Sequence, residues 1–243
     1  MKKQKNILIV QCGKTYSELY DHHGDFDDWL IAGMGVDPLS CTSIRVYEGE
    51  KLPEPDTVAG ALLSGSHDMV TKRTYWIEYA TDWVRAAVSA KIPLLGVCFG
   101  HQLLASALEG RVGYNPNGLE FGTVAIERKN FEEKDALFGE LPSTFKAHVS
   151  HAQSVLELPP RAICLASSTL DSHQAFRFGE VTWGVQFHPE YTSIVTREYI
   201  RQSEKHLRRQ GADVQLMLQQ VRETPESVKI LHNFLAVVQG ASS

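Results

Sequence analysis

The sequence lacks most of the features that assign a chain to a special compartment or binding class. Its 243 residues include only four cysteines, which form no close pairs, so neither a zinc site nor a disulfide framework is predicted. Lysine and arginine (24) do not exceed aspartate and glutamate (29), and a net charge of −5 gives no electrostatic reason to bind nucleic acid or an anionic membrane.

Long apolar runs are also missing. No stretch approaches the roughly 20 apolar residues of a membrane span, and the one after MKKQKN is too short for a signal peptide. We therefore expect a protein of the reducing cytoplasm that acts on a small molecule and binds neither nucleic acid nor membrane. Three of the cysteines, Cys12, Cys41 and Cys164, are interpreted as buried small residues without a role.

Short apolar, β-branched runs alternate with helical patterns in the first half of the chain. Strands are predicted at 7–11, 43–47, 59–63 and 93–97, and a helix at 76–90. This alternation favours an α/β fold in which helices flank a largely parallel sheet.

The second half of the chain changes character twice. Strand-like pieces separated by turns predict extra antiparallel strands between residues 111 and 184. Helices are predicted at 193–209, 213–222 and 225–238, the last after a Thr224 cap. We expect a single domain over 1–243, with a core at about 5–192 and C-terminal helices at about 193–240 packed on it.

One apolar run carries a candidate nucleophile. In LLGVCFGHQLLASAL, residues 94–108, a buried strand pattern passes into a helical pattern at Cys98. Gly96 and Gly100 stand two residues to either side, and small residues there let the chain reverse sharply and push the reactive atom outward. The following helix favours the thiolate through its free amides and dipole. The alternative is that Cys98 is a buried small side chain, which is the usual fate of a cysteine.

A cysteine nucleophile needs a base, and the base needs an orienting group. The segment WGVQFHPEY, residues 183–191, places His188 and Glu190 after a strand pattern, with Pro189 fixing the backbone between them. Glu190 would accept a hydrogen bond from one imidazole nitrogen and leave the other nitrogen to take the thiol proton. The alternative is that His188 is a surface turn residue beside a proline.

Together these motifs resemble the class I (triad) glutamine amidotransferase family. GVCFGHQ and QFHPE are similar to the nucleophile and base motifs of that family, and LLSGSHD at 62–68 to its oxyanion-strand motif. HVSHAQSVLELP at 148–159 is similar to its Ser-His-x-x-x-Val stretch, and GLEFGTVAI at 118–126 to a segment of the amidotransferase domain of GMP synthase. The resemblance implies a flavodoxin-like α/β fold with a mostly parallel mixed sheet, flanking helices and extra antiparallel strands.

The resemblance also implies a mechanism. Cys98 would attack the side-chain amide of glutamine to form a γ-glutamyl thioester and release ammonia, while His188, held by Glu190, would transfer the protons. The backbone amides of Ser66 and Phe99 would bind the oxyanion, where losing one donor typically costs about 3 kcal/mol of barrier.

Substrate contacts are implied in the same way. They would be made by Gln102, Glu120, Ser150, Ala152 and Gln153, with Glu120 facing the α-amino group and the backbone at Ala152 and Gln153 facing the α-carboxylate. No cofactor and no metal are expected.

Two departures from the family matter. His67 and Asp68 stand where the oxyanion turn of related amidotransferases usually continues into proline, so an extra imidazole is expected near the site. No P-loop motif occurs, and therefore a separate synthetase is the expected acceptor of ammonia.

Three functions follow from this sequence. The first is a glutaminase or amidotransferase subunit that supplies ammonia to another enzyme. The second is a γ-glutamyl hydrolase or peptidase, because the plant γ-glutamyl peptidases resemble the chain in SGS followed by CFGHQ. The third is a non-catalytic regulatory protein, against which an intact Cys98, His188 and Glu190 argue.

The segment after the first predicted strand, CGKTYSELYDHHGDFDDWL, is interpreted as a long loop that borders the leaving-group side of the site. Its histidines and carboxylates at 21–28 suggest a solvated loop entering a helix more than a divalent metal site.

Overall fold

The computed structural model describes residues 5–129 and 135–241. Within them lies a mixed α/β fold whose central sheet has nine strands in the order β2-β1-β3-β4-β11-β10-β9-β6-β7, while β5 and β8 pair separately. The strands are β1 (Ile7–Gln11), β2 (Cys41–Arg45), β3 (Gly60–Leu63), β4 (Leu94–Val97), β5 (Arg111–Tyr114), β6 (Glu120–Arg128), β7 (Thr144–His151), β8 (Gln153–Glu157), β9 (Ile163–Ser167), β10 (Ala175–Phe178) and β11 (Thr182–Val185).

The predicted change of strand direction along the chain is confirmed. In the order of the sheet, the five strands β2, β1, β3, β4 and β11 pair in parallel. From β11 onward, the pairs with and among β10, β9, β6 and β7 are antiparallel. The carboxyl ends of β3, β4 and β11 therefore lie next to one another at one edge of the sheet, where ligands of open α/β sheets bind.

Helices cover both faces of the parallel half because its strands are apolar on both faces. In β1, Ile7 and Ile9 belong to one core cluster and Leu8 and Val10 to the other, as the two-residue repeat of a strand requires. The helices are α1 (Ser17–His23), α2 (Phe26–Met34), α3 (Tyr75–Ser89), α4 (Phe99–Ala107), α5 (Ser193–Gln202), α6 (Glu204–Arg209), α7 (Val214–Gln220) and α8 (Pro225–Ala241). Residues of α2 and α8 pack on the first face, and residues of α3 and α4 pack on the second.

Three expectations need correction. The segment after β1 is mostly helical, because Gly24 at φ 78° separates α1 from α2 and Asp25 starts α2 with a reciprocal capping box to Asp28. The single helix expected at 193–209 is interrupted at Ser203, a residue type that favours helix ends. Cys41 and Cys164 are only partly buried, whereas Cys12 is buried as expected. None of the helices in the described part of the chain has the length and apolarity to span a bilayer.

Candidate active site

The candidate nucleophile lies on the turn that joins β4 to α4. Cys98 has φ 52° and ψ −101°, a positive φ that residues with a Cβ rarely adopt. Both ends of this residue are fixed, because its amide donates to the Val185 carbonyl at 2.8 Å and its carbonyl accepts from the Gln102 amide at 3.1 Å. The turn therefore holds the thiol in a strained, defined position at the carboxyl edge of the sheet.

The two flanking glycines allow this turn for steric reasons. A Cβ on Gly96 would lie 2.4 Å from the Gly100 carbonyl oxygen, and a Cβ on Gly100 would lie 2.4 Å from the Leu63 carbonyl oxygen. Both clashes are with backbone atoms, which cannot rotate away. Only glycine therefore fits at either position, in agreement with the sharp reversal expected from the sequence.

The candidate base and its partner follow β11, the strand beside β4. His188 Nδ1 lies 2.7 Å from Glu190 Oε1, and both side chains are buried. The His188 amide donates to the His148 carbonyl at 2.8 Å, which ties this segment to β7. The ring stacks on Tyr191 with centroids 3.9 Å apart, so its orientation is fixed. The structure thus places the imidazole in the interior, not in a surface turn.

Charge in this group favours the protonated imidazole. Burial by itself would lower the pKa of His188, but the Glu190 carboxylate, which is hydrogen-bonded to the ring, and the nearby Cys98 sulfur raise that pKa above its usual value of 6.5. Cys98 Sγ also lies 3.9 Å from the Ser150 carbonyl oxygen. The His188 imidazole and the Glu190 carboxylate are in direct contact, and the Cys98 sulfur is close enough to influence the imidazole. The assignment of the three as a catalytic triad stays a prediction.

Two backbone amides close to the thiol are free to bind an anion. Neither the Ser66 amide nor the Phe99 amide donates a hydrogen bond to an acceptor in residues 5–129 and 135–241. Phe99 is the first residue of α4, where unpaired amides and the helix dipole favour negative charge. Gly65, which precedes Ser66, packs closely on His188: a Cβ added at Gly65 would lie 3.0 Å from His188 Cε1.

Cys98 opens into a cavity of about 290 Å³. Ser66 and Phe99 line it, as do four of the five predicted substrate contacts, Gln102, Ser150, Ala152 and Gln153. A larger cavity of about 550 Å³ lies beside it and shares Leu119 and Phe121 with it. We place the site in the smaller cavity because that cavity contains the thiol.

Glu120 is the predicted contact that does not line the thiol cavity; it borders the larger one. Its buried carboxylate accepts hydrogen bonds from Ser168 Oγ at 2.6 Å and Gln174 Nε2 at 2.5 Å, and lies 3.0 Å from His151 Nε2. The other nitrogen of His151 faces the Gln153 carbonyl at 3.0 Å. Glu120 thus reaches the thiol cavity through His151, a wall residue to which the sequence analysis gave no role although it lies within the HVSHAQ motif.

Gln102 ties the helix after Cys98 to the opposite wall. Its side-chain amide donates to the Gln153 carbonyl at 2.7 Å and to Gln186 Oε1 at 2.9 Å, and the residue is buried. Gln153 in turn donates from Nε2 to Thr71 Oγ1 at 2.7 Å. These contacts hold the backbone at 152–153 in place beside the thiol.

The acidic and histidine-rich segment at 21–28 does not bring its side chains together as metal ligands. No cluster of three histidine, cysteine or carboxylate residues in the described ranges has the arrangement needed to hold a metal ion. Two of its carboxylates serve the backbone instead: Asp25 accepts from the Thr15 amide at 2.9 Å, and Asp28 accepts from the Asp25 amide at 2.9 Å.

Comparison with known proteins gives consistent matches. The family model described as glutamine amidotransferase class-I matches residues 18–206. The chain is 26% identical to γ-glutamyl peptidase 4 of Arabidopsis thaliana over 97% of each chain. It is 37% identical to a glutamine-hydrolyzing GMP synthase subunit of Methanococcus vannielii over 65% of this chain and 76% of that one.

A solved structure supports the same fold. The crystal structure of a glutamine amidotransferase from Thermotoga maritima superposes with a TM-score of 0.76 at 21% identity and covers 97% of this chain and 99% of that one.

Proposed function

Because the chain belongs to the class-I glutamine amidotransferase family, we propose that it hydrolyses the side-chain amide of glutamine at Cys98 and yields glutamate and ammonia. The observation that supports the proposal is the buried His188–Glu190 pair, 2.7 Å apart, whose imidazole is influenced by the Cys98 sulfur at a cavity lined by Cys98, Ser66 and Phe99.

The first half of the proposed reaction forms an acyl enzyme. The Cys98 thiolate attacks the amide carbon, and the negative oxygen of the tetrahedral intermediate accepts hydrogen bonds from the Ser66 and Phe99 amides. The His188 imidazolium donates its Nε2 proton to the leaving nitrogen as the carbon–nitrogen bond breaks. Ammonia leaves, and the γ-glutamyl group stays on the sulfur as a thioester.

The second half hydrolyses that thioester. Neutral His188 takes a proton from water, whose oxygen attacks the thioester carbon, and the sulfur leaves as a thiolate paired with the imidazolium. Glu190 holds Nδ1 throughout, so Nε2 remains the nitrogen that exchanges the proton. We further propose that a separate synthetase accepts the ammonia, which the similarity to the GMP synthase subunit of Methanococcus vannielii supports.

A second candidate, hydrolysis of γ-glutamyl peptides, is favoured by one observation. The similarity to the plant γ-glutamyl peptidase 4 extends over 97% of the chain, whereas the match to the GMP synthase subunit covers 65%. The same thioester would form, and an amino acid or peptide would leave in place of ammonia.

The test is a screen of the purified protein against glutamine, glutathione, γ-glutamyl amines and γ-glutamyl dipeptides. We expect Cys98→Ala to lose turnover of every substrate, and Cys164→Ala, a change at a partly buried thiol of the antiparallel half, to keep it. Strong cleavage of glutathione with negligible glutaminase activity would favour the second candidate. Full turnover by Cys98→Ala, or no turnover by the wild-type protein, would overturn the proposal.

A further inference from the structure

His67 is a wall residue of the thiol cavity that the proposed mechanism does not use. It follows Ser66 in the chain, and its ring packs on Tyr16 with centroids 4.5 Å apart. Its Nε2 lies 3.3 Å from the Tyr199 hydroxyl, which in turn lies 2.8 Å from Thr15 Oγ1. The ring is thus fixed by packing and a chain of hydrogen bonds, yet the residue is exposed at the cavity.

Phe26 connects His67 to the imidazole that would protonate the leaving group. The leaving nitrogen takes its proton from His188, so it must lie next to that imidazole. Phe26 contacts both rings: it stacks on His188 with centroids 6.5 Å apart and meets His67 edge-on at 6.3 Å. Desolvation and the positive charge of His188 lower the pKa of His67, which fits a neutral ring beside a protonated one.

The proposed function places the glutamyl group at another part of the cavity wall, at Gln102 and residues 152–153. There the Gln102 side-chain amide donates a hydrogen bond to the Gln153 carbonyl at 2.7 Å. On the His67 side, Tyr16 continues the wall, and its hydroxyl lies 3.3 Å from Ser203 Oγ. Tyr16, His67 and Ser203 all line the thiol cavity. They present an aromatic ring, an imidazole and a hydroxyl group to the leaving group.

We propose that His67, with Tyr16 and Ser203, forms a subsite that contacts the leaving amine and determines how well leaving groups larger than ammonia are accepted. This inference rests on the proposed function. The side chains suit an amino acid or short peptide, because its apolar part can pack on Tyr16 and its carbonyl or carboxylate oxygen can accept hydrogen bonds from the hydroxyl and imidazole groups. Ammonia is too small to make these contacts.

The test compares two substrates in steady-state kinetics. Wild-type protein, His67→Ala, His67→Gln and the control His232→Ala, a change at an exposed residue of α8, are assayed with glutamine and with a γ-glutamyl dipeptide. For His67→Ala we compare kcat/KM for the dipeptide with kcat/KM for glutamine. We expect the ratio of the two to fall by about fivefold to tenfold, which corresponds to the loss of one or two hydrogen bonds. We expect the fall to appear mainly in KM, because a leaving-group contact binds the ground state as well as the transition state.

The other variants separate this role from a structural one. His67→Gln keeps a hydrogen-bonding group and should recover part of the ratio, and His232→Ala should leave it unchanged. Equal losses for both substrates in His67→Ala, or a wild-type protein that hydrolyses glutamine but no dipeptide, would overturn the subsite and leave the proposed function intact. If the wild-type protein turned over neither glutamine nor the dipeptide, the proposed function itself would be overturned.

Discussion

The strained backbone at Cys98 leads to a prediction that does not depend on substrate. Its φ of 52° and ψ of −101° lie outside the left-handed helical region, whose ψ is about +47°, so any side chain with a Cβ is strained there. Cys98→Ala keeps the Cβ, whereas Cys98→Gly removes it. Both variants lack the thiol, and their difference in unfolding free energy therefore reports the strain.

The expected difference follows from two opposing effects. Replacing alanine by glycine at an ordinary position costs roughly 0.5–1 kcal/mol, because the unfolded chain gains freedom. Relief of an unfavourable backbone conformation returns roughly 1–3 kcal/mol. We therefore expect Cys98→Gly to be more stable than Cys98→Ala by about 1 kcal/mol.

Urea unfolding of both variants, followed by circular dichroism, measures this difference. The matched control is Ala86→Gly in α3, an exposed helical position where glycine should destabilise by about 1 kcal/mol relative to alanine. Cys98→Gly could instead be less stable than Cys98→Ala by the same free energy that Ala86→Gly loses relative to wild type. In that case the turn would carry no strain, and the reasoning would be refuted.

Three further predictions concern two residues around the thiol. Gly100→Ala should destabilise the protein by about 1–3 kcal/mol in the same assay, because its Cβ would meet the Leu63 carbonyl oxygen at 2.4 Å, whereas Gly240→Ala, with open space around it, should not; equal stability would contradict the packing argument. Glu190→Gln should reduce kcat by about 10²–10⁴-fold, since His188 loses the charge that favours its protonated form. That charge raises the folded pKa of His188, so the stabilisation it gives is fully present below the ordinary value of 6.5 and is lost as pH rises through the raised pKa. The stability gap between wild type and Glu190→Gln, measured by thermal unfolding across pH, should therefore narrow from neutral to alkaline pH, and a gap that widens would contradict it.

The reactive part of the site could be predicted from local sequence patterns. The turn at Cys98 is visible there because a strand, two glycines and a helix follow one another within 15 residues. The contact between His188 and Glu190 is also local, since the two residues are separated only by Pro189.

Contacts between distant segments were not visible in the same way. Tyr16 meets Ser203 across most of the chain, and Glu120 and His151 meet only because β6 and β7 pair in antiparallel register. No local spacing encodes such contacts, which depend on how strands and helices pack. The segment at 17–34 was expected as a long loop entering a helix, and its greater helix content has a related reason: Leu19, Phe26 and Trp29 are buried in one cluster with Val195 and Tyr199 of α5.

The measurement that tests the central claim most directly is peptide mapping after treatment with a glutamine analogue that alkylates thiols. We predict that the analogue modifies Cys98 alone, that activity falls in proportion to modification, and that excess glutamine protects the thiol. Modification of Cys12, Cys41 or Cys164 with Cys98 untouched, or full activity in a protein alkylated at Cys98, would contradict the account.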